Sequence, residues 1–438
     1  MSLKALIEQG EYYKGYTYAY PHKTSYQHFE PIALKSAWAV EDKSQLFLYA
    51  HIPFCGMRCG FCNLFTTANP KLALTKAYIE ALTRQAKVTY EALGEQAKFS
   101  RFALGGGTPT YLLAEELQQL FDALAIFKLD YAAIPSSVET SPATVTLDRL
   151  AILKNYHIKR VSMGVQSFSA TEIKSVGRGQ SNQEVIHAIE KIRKFSFPIL
   201  NLDLIYGLAN QDPTSWAKSL QAALSFEPEE IFLYPLYVRP LTGIGKFGFS
   251  WDDERLRLYQ QGRDMLLNAG YQQMSMRHFR KPIVSQIEYA DYCCQQDGMV
   301  GLGCGARSYT RGLHYSNEYA VGRKGIKAIL ESYNNRTEAD FKQIAYGFKM
   351  DQDTQKRRFI LQSILHMTGL SIELYQQRFA SSPFIDYPQL NELIELQLIQ
   401  NQQNNWQLTE RGLELADLIG PWFYAPDIEQ RMSSYELK

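Results

Sequence analysis

The sequence predicts an α/β protein, an open partial barrel of six β/α units followed by a small, mainly helical, winged-helix-like C-terminal domain. Two observations carry this. Strand-like apolar stretches alternate with helical ones between Leu46 and Val238, the pattern of parallel strands joined by right-handed crossovers. Polar and sulfur-bearing residues recur where those stretches end, and barrel active sites are built at strand C-terminal ends.

Residues 1–44 lead in as an arm carrying Tyr12, Tyr13, Tyr16, Tyr18 and Tyr20, suited to packing over the main domain or closing the mouth of a site. Leu46 to Ile52, LFLYAHI, is a buried first strand that ends at Pro53. The loop YAHIPFCGMRCGFCNLF then places Cys55, Cys59 and Cys62 in a C-x3-C-x2-C triad, three of the six cysteines of the chain. Thiolates bind soft metals and iron–sulfur clusters. Three on a short loop can hold three irons of a 4Fe–4S cube and leave the fourth open. With His51 the same three could instead make a Cys3His zinc site. Zinc sites usually pair two CxxC knuckles, and Cys293, Cys294 and Cys304 lack the spacing for a second. A disulfide across so short a loop would be strained.

A helix is expected from Leu74 to Leu93, a second strand from Ser100 to Leu104, and then Gly105-Gly106-Gly107-Thr108-Pro109-Thr110, where the backbone can approach a ligand closely. After a helix from Ala114 to Phe127, Val138-Glu139-Thr140 ends a third strand. Arg160 to Phe168, RVSMGVQSF, is the fourth. A helix from Gln183 to Phe195 leads to Asn201–Leu208, NLDLIYGL, where Asp203 sits in an apolar strand and needs a partner. Ile231 to Val238 is the sixth strand, followed by a helix from Trp251 to Asn268 and a strand from Tyr271 to Phe279. Asp297 to Tyr309 is turn-rich, and its GLGCGA lacks the GxGxxG spacing of a dinucleotide site. The polar run after Ala345 marks a boundary between a main domain, 45–345, and a C-terminal one, 346–438, which holds an amphipathic helix at Lys356–Thr368.

The 438 residues carry a formal net charge of +1, which argues against a broad polyanion-binding surface and so against nucleic acid. The polar start and the lack of a long apolar run predict no signal peptide and no membrane span. A cytoplasmic monomer is the expectation, since cysteine usage fits a reducing compartment.

The triad, with Phe61 before its last cysteine, resembles the cluster loop of radical S-adenosylmethionine (SAM) enzymes. The string HIPFC-x3-C-x-FC, with GGGTPT, RVSMGVQSF and NLDLIYGL, resembles the branch of oxygen-independent coproporphyrinogen III oxidase. The resemblance implies a TIM-type partial (β/α)6 barrel and a 4Fe–4S cluster on Cys55, Cys59 and Cys62. It places SAM contacts at Tyr49, Phe61, Gly106, Gly107, Thr108, Glu139, Gln166, Arg178 and Asp203. It makes Arg277, His278 and Arg307 candidates for an acidic substrate.

The implied activity is reductive cleavage of SAM to a 5′-deoxyadenosyl radical, driven by a reductant such as flavodoxin or ferredoxin and acting on a small-molecule substrate. The first expectation is that two SAM molecules bind, the second donating a methyl or methylene group. The alternatives are oxidative decarboxylation of coproporphyrinogen III and a non-catalytic haem carrier. Two departures bear on the choice. The oxidase has a further cysteine two positions past the triad, where this chain has Leu64, and an Asp-His pair where it has Arg277-His278.

Overall fold

The computed structural model describes residues 1–244, 254–284 and 297–436. Six strands, Leu46–Ile52, Phe99–Gly106, Ser136–Thr140, Arg160–Gln166, Ile199–Tyr206 and Glu230–Pro235, pair in chain order, each parallel to the next. Helices occupy the crossovers, Leu72–Leu93 being the longest. This is the expected partial barrel.

Alternation along each strand explains why these apolar runs contain polar residues. Leu46, Leu48, Ala50 and Ile52 are fully buried, while the intervening Tyr49 and His51 line an interior cavity. Leu200, Leu202 and Leu204 are buried in the same way, and Asn201 and Asp203 face the cavity. In the last strand Ile231 and Leu233 pack, and Glu230, Phe232 and Tyr234 face inward. One face of every strand thus supplies core and the other supplies chemistry.

The barrel strands are the middle of a 13-stranded sheet. Beyond Glu230–Pro235 lies an antiparallel pair, His278–Arg280 and Gln272–Gln273. The single strand expected from Tyr271 to Phe279 is therefore two short ones, broken where the Ser275 hydroxyl accepts from the amides of Arg277 (3.4 Å) and His278 (3.2 Å). On the other edge, Met299–Leu302 runs parallel to Leu46–Ile52, and Arg307–Tyr309, Leu313–Ser316, Gln343–Lys349 and Gln27–Ala33 follow antiparallel. The stretch expected to be turn-rich, Asp297 to Tyr309, thus contains two strands. They are short and interrupted by glycines, so no period-2 pattern could reveal them. The N-terminal arm also contributes a strand, Gln27–Ala33, hydrogen-bonded to Gln343–Lys349 across residue 345. The expected helix start at Trp251, and Cys293 and Cys294, lie outside the described residues.

At the C-terminus, helices Gln352–Ile364, Ile372–Phe379 and Pro426–Ser433 surround a three-stranded sheet of Leu370–Ser371, Asn405–Leu408 and Ile399–Gln402. The amphipathic helix starts four residues earlier than Lys356, capped by Asp351, whose carboxylate accepts from the Thr354 amide at 2.8 Å. Three contacts tie this region to the barrel and the arm. Arg263 Nη1 donates to Glu414 (2.8 Å), the Tyr237 hydroxyl to Asp417 (2.5 Å), and Arg358 Nη1 to the Tyr20 carbonyl (3.1 Å). No helix among the described residues is long and apolar enough to cross a membrane.

Candidate functional site

The cysteine loop is pinned at both ends. Phe54–Cys55 pairs in parallel with Thr67–Ala68, and the Asn69 amide donates to the Cys55 carbonyl at 2.8 Å. Mid-loop, the Gly60 amide donates to the Val176 carbonyl (2.7 Å) and its carbonyl accepts from the Ile244 amide (2.9 Å). Phe61 packs against the cluster of Val176, Ile205, Leu208, Leu236 and Ile244. Each thiol has a polar neighbour. Thr108 Oγ1 donates to Cys55 Sγ at 3.6 Å, Arg178 Nη1 to Cys59 Sγ at 3.4 Å, and Thr66 Oγ1 lies 3.8 Å from Cys62 Sγ. A β-carbon on Gly107 would stand 2.9 Å from Cys55 Sγ, so only glycine leaves that sulfur its approach.

Among the described residues no three His, Cys, Asp or Glu side chains converge on a single metal ion. A Cys3His zinc site would need His51 as its fourth ligand. His51 is committed elsewhere, with Nε2 3.1 Å from the Phe65 carbonyl and Nδ1 3.1 Å from the Tyr49 hydroxyl. Burial pulls its imidazole down to about 4, outweighing the Phe65 bond, so it stays neutral. A 4Fe–4S cluster, which takes one iron per thiolate, fits three thiols on one short loop with N–H and O–H donors close to sulfur. Burial pushes the Cys55 thiol up to about 12, against the Thr108 bond, and raises Cys62 as well. Such thiols lose their protons as the metal enters.

Beside the loop opens a cavity of about 970 Å³, lined among others by Tyr49, Gly106, Glu139, Asp203, Arg277, His278 and Arg307. All nine SAM-contact candidates lie among the described residues and have a place in this geometry, Tyr49 through its contact with His51. Gly106, at φ +116°, offers its amide to Glu139 Oε2 at 2.9 Å, and a β-carbon there would strike the His51 ring at 2.6 Å. Gln166 ends its strand at φ +72°, a left-handed conformation costly for a residue with a side chain. Arg178 reaches Cys59 and the Gly164 carbonyl, and Asp203 accepts from Asn201 Nδ2 at 2.8 Å. Phe61, Gly107 and Thr108 border the cysteines as described above.

Burial pushes the Glu139 carboxyl up to about 7, against the Gly106 bond and with help from Asp203. Burial also raises Asp203, to about 6, against Asn201 and Arg178. Glu139 is enclosed by the barrel yet open to solvent through the cavity, so screening keeps the penalty at about 1 kcal/mol or less. The sign follows from linkage: the folded chain disfavours the ionised form, so stability from this group is present below the ordinary carboxylate pKa and lost as pH rises to about 7. Glu139→Gln should therefore raise the melting temperature of the metal-free protein by a degree or two at pH 8, and not at pH 4.5. Thermal scans at the two pH values check this.

The substrate candidates are less free than their sequence context implies. Arg277 is buried in an ion pair with Asp417 and lies 3.8 Å from the Tyr16 ring centroid. His278 stacks on Phe232 at 4.4 Å and its Nε2 is 3.1 Å from Glu230 Oε1. Arg307 Nη1 donates to the Tyr18 hydroxyl at 2.9 Å. Sequence reasoning missed Arg160 and Glu230, a buried bidentate pair at 2.7 and 2.8 Å in the cavity wall, and missed Lys23 and Tyr18. A charged residue opening each of two apolar strands was the available signal for the first pair.

Residues 49–223 match the radical SAM superfamily. An oxygen-independent coproporphyrinogen III oxidase from Synechocystis is 26% identical over 83% of this chain and 82% of its own. The heme chaperone HemW of Lactococcus lactis is 25% identical over 87% and 97%. The solved coproporphyrinogen III oxidase (HemN) of Escherichia coli superposes with a TM-score of 0.79 at 24% identity, covering 98% of this chain and 99% of that one, which establishes the shared fold.

Proposed function

We propose, on the premise that this chain is a radical SAM protein of the coproporphyrinogen III oxidase-like branch, that it acts on a carboxylate-bearing tetrapyrrole of the coproporphyrinogen type. The observation that supports this reading is a single large cavity that runs from the SAM-side acids, Glu139 and Asp203, to the cationic wall of Lys23 and Arg307. A volume of about 970 Å³ exceeds what one SAM needs and leaves room for a large second molecule.

When bound, the cluster supplies the electron that cleaves SAM to methionine and a 5′-deoxyadenosyl radical. The chain's own residues hold the reactants in place. Cys55, Cys59 and Cys62 provide the cluster's protein ligands. Glu139 offers an acceptor for the SAM amine, Arg178 a planar donor for its carboxylate, and Gln166 and Asp203 the remaining polar edge. Tyr49, Phe61, Gly106, Gly107 and Thr108 shape the pocket around them. In the relatives' chemistry a hydrogen atom leaves a propionate side chain, carbon dioxide departs and one electron passes to an acceptor.

A second reading, methyl transfer from a second SAM, rests on a departure from the oxidase pattern alone. Leu64, standing where the oxidase carries its further cysteine, lines the cavity with an apolar side chain. Product analysis separates the readings. Reconstituted anaerobic protein with SAM, dithionite and coproporphyrinogen III should yield 5′-deoxyadenosine, carbon dioxide and protoporphyrinogen. A methylated product with S-adenosylhomocysteine would install the second reading. Haem binding with 5′-deoxyadenosine at background would make the chain a carrier, as HemW's name describes that protein.

A further inference from the structure

We propose that Lys23, Arg307 and the Tyr18 hydroxyl form an oxyanion subsite in the cavity wall, which takes a carboxylate of the substrate. The substrate's identity rests on the preceding reading; the existence of the subsite does not.

Three cavity arginines already have their counter-charge: Arg160 on Glu230, Arg277 on Asp417, Arg378 on Asp297. Among the described residues, Lys23 and Arg307 have none. Arg307 lies among tyrosines: its guanidinium donates to the Tyr18 hydroxyl and lies 4.9 Å from that ring's centroid. Lys23 Nζ sits 3.5 Å above the Tyr319 ring. All four side chains line the cavity. His22 completes the group, its Nε2 3.2 Å from the Tyr18 hydroxyl, and burial holds that imidazole neutral.

Two enclosed cations without a carboxylate are costly unless an anion joins them. The cost is visible in the groups themselves. Burial pulls the Lys23 ammonium down to about 8, helped by Arg307 and opposed by Tyr18. For Tyr18 burial alone would raise the phenol, but Arg307 and Lys23 outweigh it and bring it down. An oxyanion between Nζ, the guanidinium and the phenol would gain charge-assisted hydrogen bonds from all three. Arg307 belongs to a strand separated from the first barrel strand by Met299–Leu302 alone, while Glu139 and Asp203 lie on the third and fifth barrel strands. A bound molecule would therefore meet acids at one side of the cavity and cations at the other.

Fluorescence titration of the reconstituted, anaerobic protein with coproporphyrin III and with its tetramethyl ester tests this without any variant. The tetra-acid should bind at least about tenfold tighter than the ester. Arg307→Gln and Lys23→Gln should each reduce that preference, and Arg307→Lys should restore part of it. A second probe is free of tetrapyrrole: mellitate, a benzene hexacarboxylate, should shield Lys23 from acetylation in the native chain and not in Arg307→Gln. Equal affinity for acid and ester together with no shielding overturns the subsite. Shielding by mellitate with no porphyrin binding leaves the subsite standing and removes the tetrapyrrole reading. Shielding by SAM alone would overturn the assignment to substrate. A fall in 5′-deoxyadenosine yield in both variants with the acid preference intact would overturn it too, since the cations would then serve the neighbouring cluster.

Discussion

Cys59→Ala, purified and reconstituted without oxygen, should lack the 4Fe–4S signature and cleave SAM at least about a thousandfold more slowly, a barrier raised by about 4 kcal/mol or more. The nearest candidate to replace the thiol, His51, is held by Phe65 and Tyr49. Cys59 also accepts from Arg178, so its loss removes one of the contacts of that guanidinium, which keeps the Gly164 carbonyl and Gln180. Cys55→Ala and Cys62→Ala should behave alike. Cys304→Ala is the contrast. Its thiol is buried, 3.9 Å from Asn317 Nδ2 and 4.0 Å from the Ile329 carbonyl, and burial raises its pKa. That variant should melt lower and keep its iron. Iron and sulfide content with electron paramagnetic resonance after dithionite reads both cases, and full iron in Cys59→Ala would refute the ligand assignment.

The cysteines were legible because their chemistry is local: three thiolates in eight positions need no tertiary information. Glu139, Gln166 and Asp203 were singled out through the family resemblance, and only Asp203, an acid inside an apolar strand, also stood out by its local setting. What stayed hidden depends on long-range pairing. Arg277 looked like a free cation because its partner, Asp417, is 140 positions away in the helix Ala416–Trp422. Lys23 sits in an arm whose tyrosines suggested packing or closure over the site, and nothing local shows that Arg307, 284 positions on, will stand beside it. The strand Met299–Leu302 was invisible in a glycine-rich stretch, although it pairs with the first barrel strand and carries the sheet toward Arg307. Short edge elements with no periodicity take their conformation from the sheet they join.

Glu230→Ala should cost about 3–5 kcal/mol of stability, the range for removing one partner of a buried ion pair. Glu230 begins the sixth barrel strand and Arg160 the fourth, so their bidentate contact spans the strand between them and fixes the spacing of three. Both side chains are almost wholly buried, at 1% and 5% exposed. Truncating the glutamate removes the bidentate carboxylate from the buried Arg160 guanidinium and takes away the hydrogen-bond partner of His278, which stacks on Phe232. Burial would raise the Glu230 carboxyl, but Arg160 and His278 outweigh it and hold it well below the usual range. Its contribution is therefore present above the ordinary carboxylate pKa and disappears as pH falls through and below it. The gap between native and Glu230→Ala proteins should accordingly be widest near neutral pH and narrow below about pH 4. Arg160→Met/Glu230→Leu, which removes both charges and keeps the volume, should recover most of the loss. Urea unfolding of the native protein, Arg160→Met, Glu230→Leu and the double variant closes a double-mutant cycle and measures the coupling. A double variant no more stable than Glu230→Ala would show that the pair holds the strands by shape and hydrogen-bond geometry rather than by mutual charge.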